Sequence, residues 1–93
     1  MEEKAKEVAE LLKVLSNPNR LLILCCLAQQ PLTVGEIIPF VGEITQSAVS
    51  QHLSILRGAG IVYCEKHGQN ITYQIRDARV LAVMQVLKEQ YCS

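Results

Sequence analysis

Four cysteines, Cys25, Cys26, Cys64 and Cys92, are the residues of this 93-residue chain best equipped for covalent chemistry. A thiolate can attack a sulfur electrophile, hold a soft metal ion or pair with a second thiol. No two of them form a Cys-x-x-Cys motif, so a thioredoxin-like carrier has little support. Nor do His52 and His67 join a serine and an acid in a recognisable hydrolytic motif, and no enzyme activity is expected. A second group of residues is suited to reading a surface. Gln46, Ser47, Ser50, Gln51 and Ser54 share one face of a helix, with Val49, Leu53 and Leu56 on the opposite face. Solvent-facing helix surfaces ordinarily carry Lys and Glu, and this one has neither. Glutamine can pair bidentately with adenine and serine can bond several base edges, so the face suits a DNA major groove.

The charge pattern supports that reading locally but not globally. Nine Lys plus Arg balance nine Asp plus Glu, so no overall field draws the chain to nucleic acid or an anionic membrane. Between Ile44 and Cys64, however, there is no acid, while His52 and Arg57 lie inside and Lys66, His67 and Arg76 follow. The acids gather early, at Glu2, Glu3, Glu7 and Glu10. Aromatic residues make up 4% and Trp is absent, which removes most base-stacking platforms and argues against single-stranded nucleic acid as the partner. The charged opening lacks the apolar core of a signal peptide, and the run Leu21 to Ala28 is far short of the ~20 residues that span a bilayer. A cytoplasmic protein with reduced thiols and no membrane contact is expected.

These residues must be positioned by a small set of elements. Length allows one domain over residues 1–93, with a core so small that a second subunit is expected to help. Apolar positions at Ala5, Val8, Ala9, Leu11, Leu12 and Leu15 predict a first helix from Glu2 to Leu15. Asn17-Pro18 reads as an N-cap and first turn of a second helix to about Gln29, apolar on all sides and therefore central and buried. Thr33-Val34-Gly35-Glu36 matches a capping box for a short third helix, with Pro39 inside it and Gly42 ending it. Thr45 caps the fourth, to about Gly58, with Gly60 as terminator. Ile61 to Lys66 and Ile71 to Arg76 alternate around His67-Gly68-Gln69-Asn70 as a β-hairpin. Asp77 caps a last helix with Val80, Val83, Met84, Leu87 and Tyr91 in one apolar stripe. The fold class is mainly α with a small hairpin: a helix-turn-helix followed directly by a wing. Arg57 and the hairpin-tip residues Lys66, His67, Gln69 and Asn70 would reach phosphate or the minor groove. His52, facing the same side as Ala48 and Ile55, reads as a hydrogen-bonded histidine at the edge of the core.

Two stretches, Leu11-Leu12-Lys13-Val14-Leu15-Ser16-Asn17-Pro18-Asn19-Arg20 and Gln46-Ser47-Ala48-Val49-Ser50-Gln51-His52-Leu53, resemble the ArsR/SmtB winged-helix repressors, and the likeness extends to Tyr73. The resemblance implies a homodimer through the first and last helices, with the two fourth helices entering successive major grooves of a palindromic double-stranded operator, half-sites about 10 bp apart. Metal-sensing members carry Cys-x-Cys at the start of the helix-turn-helix, or Asp-x-His followed by His-x-x-Glu on the last helix. This chain has Thr33-Val34-Gly35-Glu36 and Asp77-Ala78-Arg79 there, so neither set is present and no resident metal or cofactor is expected. The turn Gly42-Glu43-Ile44-Thr45 is one residue longer than the family pattern.

Leu21-Leu22-Ile23-Leu24-Cys25 and Glu89-Gln90-Tyr91-Cys92 are similar to the persulfide-sensing branch. That likeness implies that Cys25 and Cys92 approach within a subunit, are joined by reactive sulfur species through a di- or polysulfide link, and thereby weaken DNA binding. Cys26 and Cys64 read as structural. Two alternatives stand beside this reading: Cys25, Cys26 and Cys92 as thiolate ligands of a metalloid or Cu(I), and a thiol redox or dimeric interaction protein without DNA binding.

Overall fold

The computed structural model describes residues 1–91 and holds seven elements: α1 (Glu2–Leu15), α2 (Pro18–Leu27), α3 (Val34–Val41), α4 (Gln46–Gly58), β1 (Val62–His67), β2 (Asn70–Ile75) and α5 (Ala78–Tyr91). The starts of α2, α3, α4 and α5 are each fixed by a side chain. Asn17 Oδ1 accepts from the backbone N–H groups of Asn19 and Arg20 at 2.9 and 3.1 Å, leaving Pro18 where a missing N–H costs nothing. Thr33 and Glu36 close a reciprocal capping box: Glu36 N–H donates to Thr33 Oγ1, and Thr33 N–H donates to Glu36 Oε1. Thr45 Oγ1 accepts from Ala48 N–H, and Asp77 Oδ1 accepts from Arg79 N–H. Gly42 ends α3 at φ +88°, a left-handed turn that an L side chain resists.

Ile23 and Leu24 of α2, Ile37 of α3, Val49, Leu53 and Leu56 of α4, Ile61 and Val62 before and in β1, and Val80 and Met84 of α5 are fully buried together. This core puts α2 at the centre, with α3, α4 and α5 packed around it. The two strands are antiparallel, pairing Val62 with Ile75 through His67 with Asn70. Leu32 joins the hairpin to the body by exchanging two backbone bonds with Tyr73.

Four expectations need correction. The second helix stops at Leu27: Gln29 N–H bonds the Cys26 carbonyl three residues back, a tightened last turn, and Pro31 has no N–H to extend the ladder. It is not covered all round, since Leu22 is exposed. Both strands shift by one residue: Gly68, at φ +63°, makes a two-residue turn with Gln69, so His67 and Asn70 become the last paired rung. In α5 the buried line is Val80 and Met84 with Leu87 packed against it, while Val83 is turned away and Tyr91 is 82% exposed.

Candidate DNA-binding face and thiol helix

Burial of Val49, Leu53 and Leu56 fixes the rotation of α4. In consequence Gln46, Ser47, Ser50, Gln51, Ser54 and Arg57 are all exposed, as one continuous face without a carboxylate. Ile55, one turn after Gln51, is 47% exposed beside them. This corrects the expectation that Ile55 shares the core-edge side with Ala48 and His52. The helical spacing from Gln51 was the available signal.

The hairpin tip gathers Lys66, His67, Gln69 and Asn70, each exposed. His67 Nε2 lies 3.2 Å from Glu65 Oε2, so the tip carries an acid beside its histidine and its net charge stays low. Lys66 points to the other face of the strand, as alternation requires. The base of the wing is stiffened on its outer side. Tyr63 OH donates to Gln74 Oε1 at 3.0 Å, and the Arg76 guanidinium sits 5.0 Å over the Tyr63 ring.

The cysteines separate by environment. Cys26 is 6% exposed and its thiol donates to the Leu22 and Ile23 carbonyls; burial pushes that thiol's pKa up. It is held as a neutral core residue. Cys25, one position earlier and about 100° round the helix, is half-buried at the core's margin. Cys64 is half-buried in β1 opposite Tyr73. Cys92 lies outside the described residues.

His52 departs from expectation. It sits at the core edge as expected, but its Nδ1 is buried with no hydrogen-bond partner among the described residues. Desolvation, and then the positive charge of Arg20 on α2, hold its pKa below the usual histidine value. Asp77 shows the opposite situation: Arg79 donates through Nε and Nη2 at 3.1 and 2.9 Å, and these bonds hold the carboxyl below the usual carboxylate range.

Among the described residues no helix is long and apolar enough to cross a membrane. The sequence pattern of the bacterial regulatory protein arsR family matches residues 17–63. HTH-type transcriptional regulator YgaV of Escherichia coli (strain K12) is 40% identical over 93 residues, covering 99% of this chain and 93% of its own. The transcriptional activator HlyU of Vibrio cholerae is 39% identical over 99% of this chain and 84% of its own. The solved structure described as reduced HlyU from Vibrio cholerae N16961 superposes with TM-score 0.93 at 39% identity, covering 100% of this chain and 97% of that one. The transcriptional repressor BigR from Xylella fastidiosa superposes with TM-score 0.89 at 38% identity, covering 99% and 90%. With that pattern on the helix-turn-helix and such relatives along its whole length, the chain belongs to the arsR family of bacterial regulatory proteins and is a winged-helix transcriptional regulator.

Proposed function

We propose that the chain is a repressor that binds a palindromic double-stranded operator as a homodimer and is released when reactive sulfur species link Cys25 to Cys92. The observation that carries the DNA-binding half is the exposed, uncharged face of α4, held in place by three fully buried residues beneath it. Gln46, Ser47, Ser50, Gln51 and Ser54 would meet base edges, with Ile55 available to a thymine methyl. Arg57, Lys66, His67, Gln69 and Asn70 would meet phosphate and sugar. So few cations mean few released counterions, so the affinity should depend only modestly on salt. Dimerisation is supported by apolar side chains that the described chain leaves uncovered on its first and last helices, Leu12 at 53% and Val86 at 55% exposure among them.

The thiol half is supported by the contrast within α2 and by the close structural likeness to a relative described as reduced. Of the adjacent pair, Cys25 is the less buried and would be the one to react. Its thiolate would attack the outer sulfur of a persulfide, giving Cys25 persulfide and releasing the carrier thiolate. The Cys92 thiolate would then attack the Cys25 sulfur, forming the disulfide and expelling hydrosulfide; where a second persulfide equivalent has first converted Cys92 to a persulfide, attack of the outer Cys25 sulfur on the Cys92 sulfur expels hydrosulfide and gives the trisulfide. A three-thiolate metalloid site on Cys25, Cys26 and Cys92 is not favoured, because Cys26 would have to abandon the core and both its carbonyl bonds.

Fluorescence anisotropy of the reduced protein on duplex from its own promoter tests the assigned face. Gln51→Ala should weaken specific binding by about 1–3 kcal/mol while leaving binding to unrelated duplex unchanged. Undiminished operator affinity in that variant would remove the assignment.

A further inference from the structure

The outer side of the hairpin carries a row of polar side chains whose neighbours are set by the strand register. Glu65 lies directly opposite Thr72, with Tyr63 and Gln74 two rungs toward the body and His67 and Asn70 two rungs out at the tip. Alternation puts all six on one side of the ribbon. The reverse side is the packed one, where Val62 is buried and Ile75 lies against the core. Every residue from Glu65 to Ile71 is exposed, so no helix covers this end. The ionisable groups beside Glu65 are then His67 on its own side and Lys66 on the reverse, and β2 has no charged side chain.

Within this row Glu65 has one neighbour that it meets and one that it leaves bare. Its Oε2 lies 3.2 Å from His67 Nε2. Thr72 Oγ1, by contrast, is buried and has no hydrogen-bond partner among the described residues. A buried hydroxyl without an acceptor is costly, and a carboxylate is the acceptor that would bind it most strongly. Side chains directly opposite on antiparallel strands have Cβ atoms about 4.5–5.5 Å apart, so rotation about the Glu65 side-chain bonds brings the carboxylate from His67 to Thr72. The move matters at a tip that meets DNA. Against His67, the carboxylate blocks a ring nitrogen that would face phosphate and adds a like charge beside that phosphate. On Thr72 it is drawn back from the tip, and both obstacles go with it.

We propose that Glu65 is a positioning residue with two stations: against His67 Nε2 in the free protein, and on the Thr72 hydroxyl in the DNA complex, where a His67 N–H donates to phosphate instead. The inference rests on the reading of the hairpin as a DNA-contacting wing and deepens it. It gives Glu65 and Thr72 a part in recognition although neither touches DNA.

Thr72→Val, which keeps the branched shape and removes the hydroxyl, separates the two stations. In the free protein that hydroxyl has no partner, so the urea midpoint should be unchanged or raised. A lowered midpoint means that the hydroxyl is already bonded, and overturns the proposal. In anisotropy of the reduced protein, the same variant should lose affinity by about two- to tenfold, the worth of one hydrogen bond. The loss should be the same on operator and on unrelated duplex, because the contact affected is to phosphate. Glu65→Ala should bind both duplexes more tightly than wild type, and weaker binding overturns the proposal. Adding Thr72→Val to Glu65→Ala should change nothing further, since the hydroxyl then has no carboxylate to hold. An equal loss from Thr72→Val with and without Glu65 assigns the effect to strand packing and overturns the two stations. Thr72→Val that binds as wild type while Gln51→Ala weakens operator binding also overturns them, and leaves the DNA reading of α4 standing. If wild type binds no duplex at all, the DNA reading fails and the two stations fail with it.

Discussion

Cys25 and Cys26 are chain neighbours of one residue type, yet α2 gives them different chemistry. Rotation by one residue takes the thiol from the core's margin into the core, where two carbonyls hold its proton. Treatment with polysulfide followed by peptide mapping should therefore find added sulfur at Cys25 and none at Cys26 in the folded protein. Cys26→Ala should cost about 1 kcal/mol in denaturant unfolding through lost burial, and leave the response to polysulfide unchanged. His52 carries a separate expectation for stability. Its folded pKa lies below its unfolded value, so both states are neutral above about pH 6.5 and the group contributes no pH dependence there. As pH falls below that value the unfolded chain takes the proton first, and stability drops until the folded pKa is passed. Urea midpoints should fall between pH 7 and 5 in wild type and fall less in His52→Gln; equal slopes would refute this. Neither the Cys26 carbonyl bonds nor the orphaned Nδ1 was legible in the sequence, because both depend on what surrounds a side chain in three dimensions.

Helix starts were the most legible feature, because they are written in local chemistry. Asn17-Pro18, the Thr33 and Glu36 pair, Thr45 and Asp77 each satisfy backbone N–H groups within three residues of themselves. Thr33→Ala should consequently destabilise the fold by about 1 kcal/mol, measured as a lowered urea midpoint with unchanged slope. The hairpin was legible as a pair of strands but not in its register, since one glycine at positive φ decides whether two or four residues make the turn. Gly68→Val should accordingly be destabilising although open space surrounds the position, because the strain is in the backbone. The polar face of α4 was legible because the apolar triad Val49, Leu53 and Leu56 fixes its opposite side. Ile55 was misplaced because its apolar type points to the core, while its four-residue spacing from Gln51 puts it beside the polar row.

At the scale of the whole molecule, the body around α2 is well covered and α1 is not. Every residue from Met1 to Glu10 is exposed, including Val8, and Val83 and Val86 are open on α5. Apolar surface of this kind is expected to be covered by a second copy. Sedimentation should give a dimer, and Leu12→Glu combined with Val86→Glu should shift it toward monomer and weaken operator binding, since each half-site is then held alone. A wild-type monomer that binds operator fully would contradict the arrangement. The link between this assembly and the thiols is read by anisotropy on promoter duplex, with wild type, Cys25→Ser and Cys92→Ser measured reduced and again after polysulfide. All three should bind when reduced, and polysulfide should release wild type alone, by a factor of about 5–150. Release of either single-cysteine variant to the same extent, or wild type that stays bound after treatment, would contradict it.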